Sequence, residues 1–259
     1  MKREKINGLN LWQFDILAQQ TQIRHFVTDR FTVDRGEEFT LSLSSHPDRQ
    51  FVLSNREALA GAMKILPQRI VFPSQVHETR IVTVDLKTSK EDVVATDALI
   101  TNTKGVCICV MSADCVPILL YDTRNNVVAA VHSGWRGTVA RILEKTLNRM
   151  RSDFGTEGED LLCGIGPSVS QESYEVGEEV IASVESAFGS GSDLLVFHDT
   201  SKAKLDLWKA NTIQLLEFGV YPEQIEVSDL CTVKNNSYFF SARKGDSGRF
   251  AAGILLSES

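Results

Sequence analysis

The stretch from Gly105 to Gly137 constrains the fold more than any other. Gly105–Met111 and Pro117–Tyr121 are two apolar runs parted only by Ser112-Ala113-Asp114-Cys115, and Val127–Val131 follows across a turn-like Asn125-Asn126. Short apolar runs bounded by turn residues read as buried strands, and the last two runs read as a hairpin. The third run ends in His132-Ser133-Gly134-Trp135-Arg136-Gly137. A polar side chain at such a strand end can face a cleft while its backbone is held rigid.

The rest of the chain mixes helical and extended periodicities. Ser54-Asn55-Arg56-Glu57 has the form of a capping box, with Leu59, Met63 and Leu66 at helical spacing until Pro67. Thr138–Met150, Gly177–Phe188 and Leu205–Phe218 carry apolar residues on one helical face. Ile70–Phe72, Arg80–Asp85, Ile225–Val227, Tyr238–Ser241 and Phe250–Leu256 read as strands. Strands that adjoin each other, interrupted irregularly by helices, predict an α+β fold. No repeat or Pro/Gly/Ser-rich linker divides the 259 residues, so a single domain over 1–259 is expected.

Composition removes whole classes of function. With 42% hydrophobic and 24% charged residues the chain is globular, and no apolar run is long enough for a signal peptide or a membrane span. The net charge of −7 argues against nucleic acid or an anionic membrane as partner. The five cysteines include no CxxC pair, which argues against a disulfide framework or a zinc ribbon, and free thiols read as cytoplasmic.

Chemistry concentrates at three strand ends. His77 closes Ser74-Gln75-Val76-His77, Cys115 ends the insert between the first two apolar runs, and His132 ends the third. Two imidazoles and one thiolate form a sensible catalytic zinc set, three ligands with a fourth position open, and the same donors suit copper. Read from the residues alone, the three could equally be packed structural side chains, or Cys115 and a histidine could be a nucleophile pair for acyl transfer. Asp114 is a candidate proton shuttle by adjacency, and His25 is a second-tier candidate at a strand end. Cys107 and Cys109 alternate on one strand face and read as packing, as do Cys163 and Cys231. Arg136, between two glycines just before a helix expected near Thr138, suits an anion, and Ser241-Ala242-Arg243 opens a second Gly-rich turn carrying arginines.

Taken in order, these segments resemble the laccase-domain or YfiH-like family, also known as polyphenol oxidase-like proteins and multifunctional purine nucleoside phosphorylases. The resemblance rests on Gln75-Val76-His77, Thr96-Asp97-Ala98-Leu99, Ser112–Pro117 and His132–Gly137. Downstream it continues through Gly164–Pro167, Tyr174–Gly177, Asp206-Leu207 with Asn211, and Phe240–Arg243 with Gly248-Arg249. It implies an α/β sandwich of mixed sheets flanked by helices, with zinc on His77, Cys115 and His132 as the catalytic centre. It further implies phosphorolysis of adenosine, inosine and S-methyl-5′-thioadenosine to free base and (methylthio)ribose 1-phosphate, with adenosine deamination. Nucleoside and phosphate are then the partners, with Arg136, Arg243 and Arg30 as phosphate ligands. Copper-dependent phenol oxidation and cysteine-based hydrolysis of cell-wall precursors are the alternatives. The chain departs from the family in one place: Thr28–Glu37 lacks the paired glycines of the usual Thr-Arg-x-Gly-Gly pattern.

Overall fold

In the strands β8 (Val116–Asp122) and β9 (Val127–Ser133) every residue is buried, so both faces of each strand must meet other layers. The computed structural model describes residues 1–32, 36–199 and 201–258. Preceding those strands are β1 (Lys2–Ile6), β2 (Leu9–Gln13), α1 (Asp15–Ala18), β3 (Ile23–Thr28), α2 (Arg49–Ala62), β4 (Ile70–Val71), β5 (Ile81–Thr83), β6 (Ala98–Thr101) and β7 (Cys107–Ser112). Following them are α3 (Trp135–Val139), α4 (Ile142–Phe154), β10 (Leu161–Ile165), β11 (Glu175–Gly177), α5 (Glu178–Phe188) and β12 (Leu195–Phe197). The chain then runs through β13 (Lys202–Leu205), α6 (Leu207–Phe218), β14 (Ile225–Val227) and β15 (Phe250–Leu256).

The strands form two six-stranded mixed sheets, β1-β2-β3-β15-β7-β4 and β14-β10-β8-β9-β6-β5, and a small antiparallel sheet β11-β13-β12. Side-chain alternation assigns the layers. Ile118, Leu120, Ala129 and Val131 face one way, into a core with Leu143, Leu147, Ile181 and Leu215 of the helices. Leu119, Tyr121, Val128 and Ala130 face the other way, against Ile108, Val110, Ala252 and Ile254 of the first sheet. The outer face of that sheet, with Cys107 and Cys109, packs on Leu59 and Ala62 of α2. The result is α2, sheet, sheet, helices: the expected sandwich of mixed sheets flanked by helices. Among the described residues no helix is long and apolar enough to cross a membrane.

Several expected elements differ. Helix α2 begins at Asp48, whose carboxylate accepts from the Phe51 N–H, and Ser54 lies inside it, its hydroxyl donating back to the Phe51 carbonyl. The expected helix over Thr138–Met150 is two helices, because Arg141 takes a left-handed conformation with φ of 60° between them. Tyr238–Ser241 is not a strand: Tyr238 and Phe239 both donate to the Asn235 carbonyl, coiling the backbone. An N-terminal hairpin, β1 with β2, turns at Asn7-Gly8, both with positive φ.

Candidate metal and anion site

The site is built on the edge between the two large sheets. Cys115 sits where the chain leaves β7 in the first sheet and enters β8 in the second, and Ser112 Oγ donates to the Cys115 carbonyl at 2.5 Å to close that crossing. His132 lies opposite Pro117 in the β8–β9 pairing, one residue from the strand end. His77 comes from the loop between β4 and β5. Gln75 pins this loop by clamping Met111 of β7, accepting from its N–H at 2.7 Å and donating to its carbonyl at 2.8 Å.

Asp97, entirely buried just ahead of β6, joins the two histidines. One carboxylate oxygen accepts from the His77 N–H at 3.0 Å and from His132 Nδ1 at 2.8 Å. The other accepts from Val76 N–H at 3.1 Å and Glu78 N–H at 3.0 Å. Three consecutive N–H groups on one carboxylate hold His77 at φ of 65°, a left-handed conformation that a histidine seldom adopts alone. With Nδ1 committed to Asp97, His132 presents Nε2 outward, the arrangement that orients a histidine ligand from behind.

The ligand atoms of His77, Cys115 and His132 lie within 4.8 Å of one another, the one such group among the described residues. The rings of His77 and His132 meet edge to face with centroids 4.8 Å apart. Burial alone would push the Cys115 thiol up, but the charges and hydrogen bonds of His132 and His77 outweigh it and hold the thiol at about 6. Burial would likewise lower His132, yet Cys115 and Asp97 raise it to about 9. Burial opposes ionisation of Asp97 too, and its bonds from His132 and the backbone N–H groups carry it below the usual carboxylate value. Gly134 leaves the space open: a Cβ there would stand 2.9 Å from Cys115 Sγ and 3.2 Å from His77 Cδ2. A soft thiolate, two imidazoles, a carboxylate behind one of them and a cradle that only glycine spares fit a small transition-metal ion.

Arginines flank this group. Arg136 is exposed, its guanidinium 4.4 Å from the Trp135 ring, and that guanidinium makes no hydrogen bond among the described residues. It lies inside α3, which starts at Trp135 rather than near Thr138 and is five residues long, so anion affinity there rests on the guanidinium and not on a helix dipole. Arg243 stacks on Tyr174 at 4.6 Å and donates to the Glu175 carbonyl, while its backbone N–H donates to Asp114 at 2.8 Å. Asp114, the neighbour of Cys115 in the chain, thereby ties Arg243 to the same turn as the thiolate, and burial raises the Tyr174 phenol to about 12.

Arg30 is committed elsewhere. Its guanidinium binds Glu38, Asp246 and the Asn236 carbonyl over the Phe240 ring, one bond from each nitrogen, so it acts as a structural crosslink. Of the segment that lacks the paired glycines, Val33, Asp34 and Arg35 lie outside the described residues. Asp114 spends its carboxylate on Thr232 Oγ1 and the Arg243 N–H, so it anchors the turn and is not placed as a shuttle. His25 is a core residue: its Nε2 accepts from the Phe14 N–H at 2.8 Å, and burial lowers it to about 4. Asp97 and Tyr174 were not singled out from sequence, although both lie in segments that carry the resemblance.

Residues 24–257 match the family described as multi-copper polyphenol oxidoreductase laccase. The chain belongs to this family. Among relatives of this laccase-like family, a Bacteroides thetaiotaomicron protein named purine nucleoside phosphorylase is 38% identical over 256 residues, 94% of this chain and 95% of its own length. A protein named adenosine deaminase RL5, from an unknown prokaryotic organism, is 32% identical over 95% of this chain and 98% of its own length. Crystal structures of YlmD from Geobacillus stearothermophilus and of a hypothetical protein YfiH from Bacillus licheniformis both superpose with a TM-score of 0.88. The first is 27% identical and covers 99% of this chain and 98% of its own; the second is 26% identical and covers 97% of each.

Proposed function

We propose that this chain is a cytoplasmic, zinc-dependent purine nucleoside enzyme. It cleaves adenosine, inosine and S-methyl-5′-thioadenosine with phosphate to free base and (methylthio)ribose 1-phosphate, and it deaminates adenosine. The observation that carries this reading is one ion-sized ligand group with Arg136 two residues beyond Gly134 of its cradle and Arg243 tied to Asp114 beside Cys115; the names of the relatives supply the substrate class.

In phosphorolysis the bond between the purine nitrogen and the anomeric carbon breaks while a phosphate oxygen bonds to that carbon, and the purine leaves with the electron pair and takes up a proton. Arg136 and Arg243 hold the phosphate and neutralise its charge, which aligns the attack. In deamination water supplies the oxygen that replaces the amino group, which leaves as ammonia. A metal bound by His77, Cys115 and His132 supplies Lewis-acid charge and lowers the pKa of water. Asp97 fixes the tautomer of His132, and the left-handed turn at His77 sets the third donor.

Copper suits the same donors, but oxygen reduction at several coppers needs further ligand groups, and among the described residues none is present. A second reading has a specific observation in its favour: Cys115, His132 and Asp97 are also connected as nucleophile, base and orienting acid are in a cysteine hydrolase.

Product analysis of adenosine with metal-quantified protein, with and without phosphate, decides between them. Adenine formed only with phosphate, and inosine formed without it, is the expected result. Neither product from protein with stoichiometric zinc overturns the nucleoside reading and leaves the cysteine hydrolase to be tested with cell-wall precursors.

A further inference from the structure

Tyr174 is 9% exposed, and its ring is part of the core under the helices. A buried tyrosine hydroxyl ordinarily finds a partner, yet this one makes no hydrogen bond among the described residues. It is also absent from the fully enclosed polar atoms left without a partner, so what remains exposed of Tyr174 includes its hydroxyl. The surroundings of that hydroxyl are unusual. Arg243 covers the ring, and the charges of Cys115, Asp114 and Arg136 reach the phenol.

The residue is also rigid. Its N–H donates to Gln171 and its carbonyl accepts from Leu205, each at 3.1 Å. Arg243 is fixed on its other side by Asp114 and the Glu175 carbonyl. A preorganised O–H donor under the Arg243 guanidinium favours an anionic oxygen as its acceptor, since that cation attracts an anion and cannot itself accept a hydrogen bond.

We propose that Tyr174 is a catalytic residue of phosphorolysis, donating its hydroxyl to the attacking phosphate beside Arg243. The assignment rests on the phosphorylase reading above. It adds a neutral donor to a pair of cations, which orients the phosphate as well as attracting it.

Tyr174→Phe keeps the ring and the stacked Arg243 and removes only the oxygen. Inorganic phosphate is titrated calorimetrically into zinc-loaded wild type and variant, and the kinetics of both are then compared. The lost bond to a charged acceptor weakens phosphate binding, and raises its KM, by roughly 10- to 100-fold. Zinc content and phosphate-free adenosine deamination stay within about twofold, a split that a merely structural role would not produce. Equal phosphate affinity in the two proteins, no phosphate binding by the wild type, or a parallel loss of deamination overturns the assignment. Wild type that binds phosphate, loses it in the variant and yet makes no adenine overturns the nucleoside reading while Tyr174 keeps its place in an anion site.

Discussion

Replacing Asp97 by Asn tests whether one buried carboxylate sets both histidines. Its two oxygens share four donors, two each, at 2.8–3.1 Å. An amide offers one accepting oxygen, so in either orientation two N–H groups face an NH2. Each bond to a charged acceptor contributes about 1.5–3 kcal/mol, giving a cost of about 3–6 kcal/mol if both donors stay unmet. Residues 76–78 are exposed, and water reaching their N–H groups in the variant would bring the loss towards about 2 kcal/mol. Zinc affinity suffers separately, because a mis-set carboxylate behind a histidine ligand typically costs 10- to 100-fold in affinity, about 1.4–2.7 kcal/mol. Urea unfolding of the metal-free proteins reads the first quantity, and competition for Zn2+ against a chromophoric chelator reads the second. The Asp97 carboxyl is held below its ordinary value of 3.8, so its contribution is present above that pH and lost as pH falls through the lower folded value. The stability gap between wild type and variant therefore narrows below about pH 4. An Asp97→Asn protein with wild-type zinc affinity and an unchanged unfolding midpoint at pH 7 would refute the reasoning.

Four further outcomes are expected. Gly134→Ala drives a Cβ against Cys115 Sγ and lowers zinc affinity at least tenfold, read by the same competition, with under about 1 kcal/mol change in metal-free stability. Cys115, held near 6, is the thiol that iodoacetamide modifies in metal-free protein at pH 7, with a rate that levels off above about pH 6; zinc protects it, and mass spectrometry finds the buried Cys107, Cys109, Cys163 and Cys231 unmodified. Arg136→Ala slows phosphorolysis at least tenfold more than deamination, and equal losses in parallel assays count against a dedicated phosphate role. His25→Ala costs about 2–4 kcal/mol of stability in urea without moving zinc affinity. Because the folded His25 is lowered from 6.5 to about 4, the stability it provides is complete above pH 6.5 and falls away between those values, a slope that His25→Ala lacks.

The candidate triad was legible at Cys115 and His132 because polar residues break or close otherwise apolar runs, a contrast that survives in one dimension, whereas His77, expected at a strand end, lies in the loop between β4 and β5. Asp97 gives no such contrast. It precedes Ala98-Leu99-Ile100 as any turn acid would, and its value comes from four donors that arrive from two separate segments. The break at Arg141 was hidden because nothing local marks an arginine for a left-handed backbone; its side chain is held from afar by Glu217 and the Ala187 carbonyl. Arg30 shows the converse: an arginine in a Gly-poor turn reads as a free cation until Glu38 and Asp246 claim it. The Asn7-Gly8 turn was legible in principle, but the charged β1 obscured the alternation that a hairpin strand normally displays.

The crossing of the chain at Cys115 separates two inheritances. His132 and Cys115 stand on or beside strands buried on both faces, and any shift there disturbs two cores at once, so mutation has little room to move them. Arg243 and Tyr174 come from short connecting segments outside the two large sheets, held by hydrogen bonds and not by strand pairing. Such walls can drift, lengthen or exchange residues while the donors behind them stay fixed. Relatives 38% and 32% identical that bear the names of different nucleoside reactions accord with a fixed cradle whose walls vary.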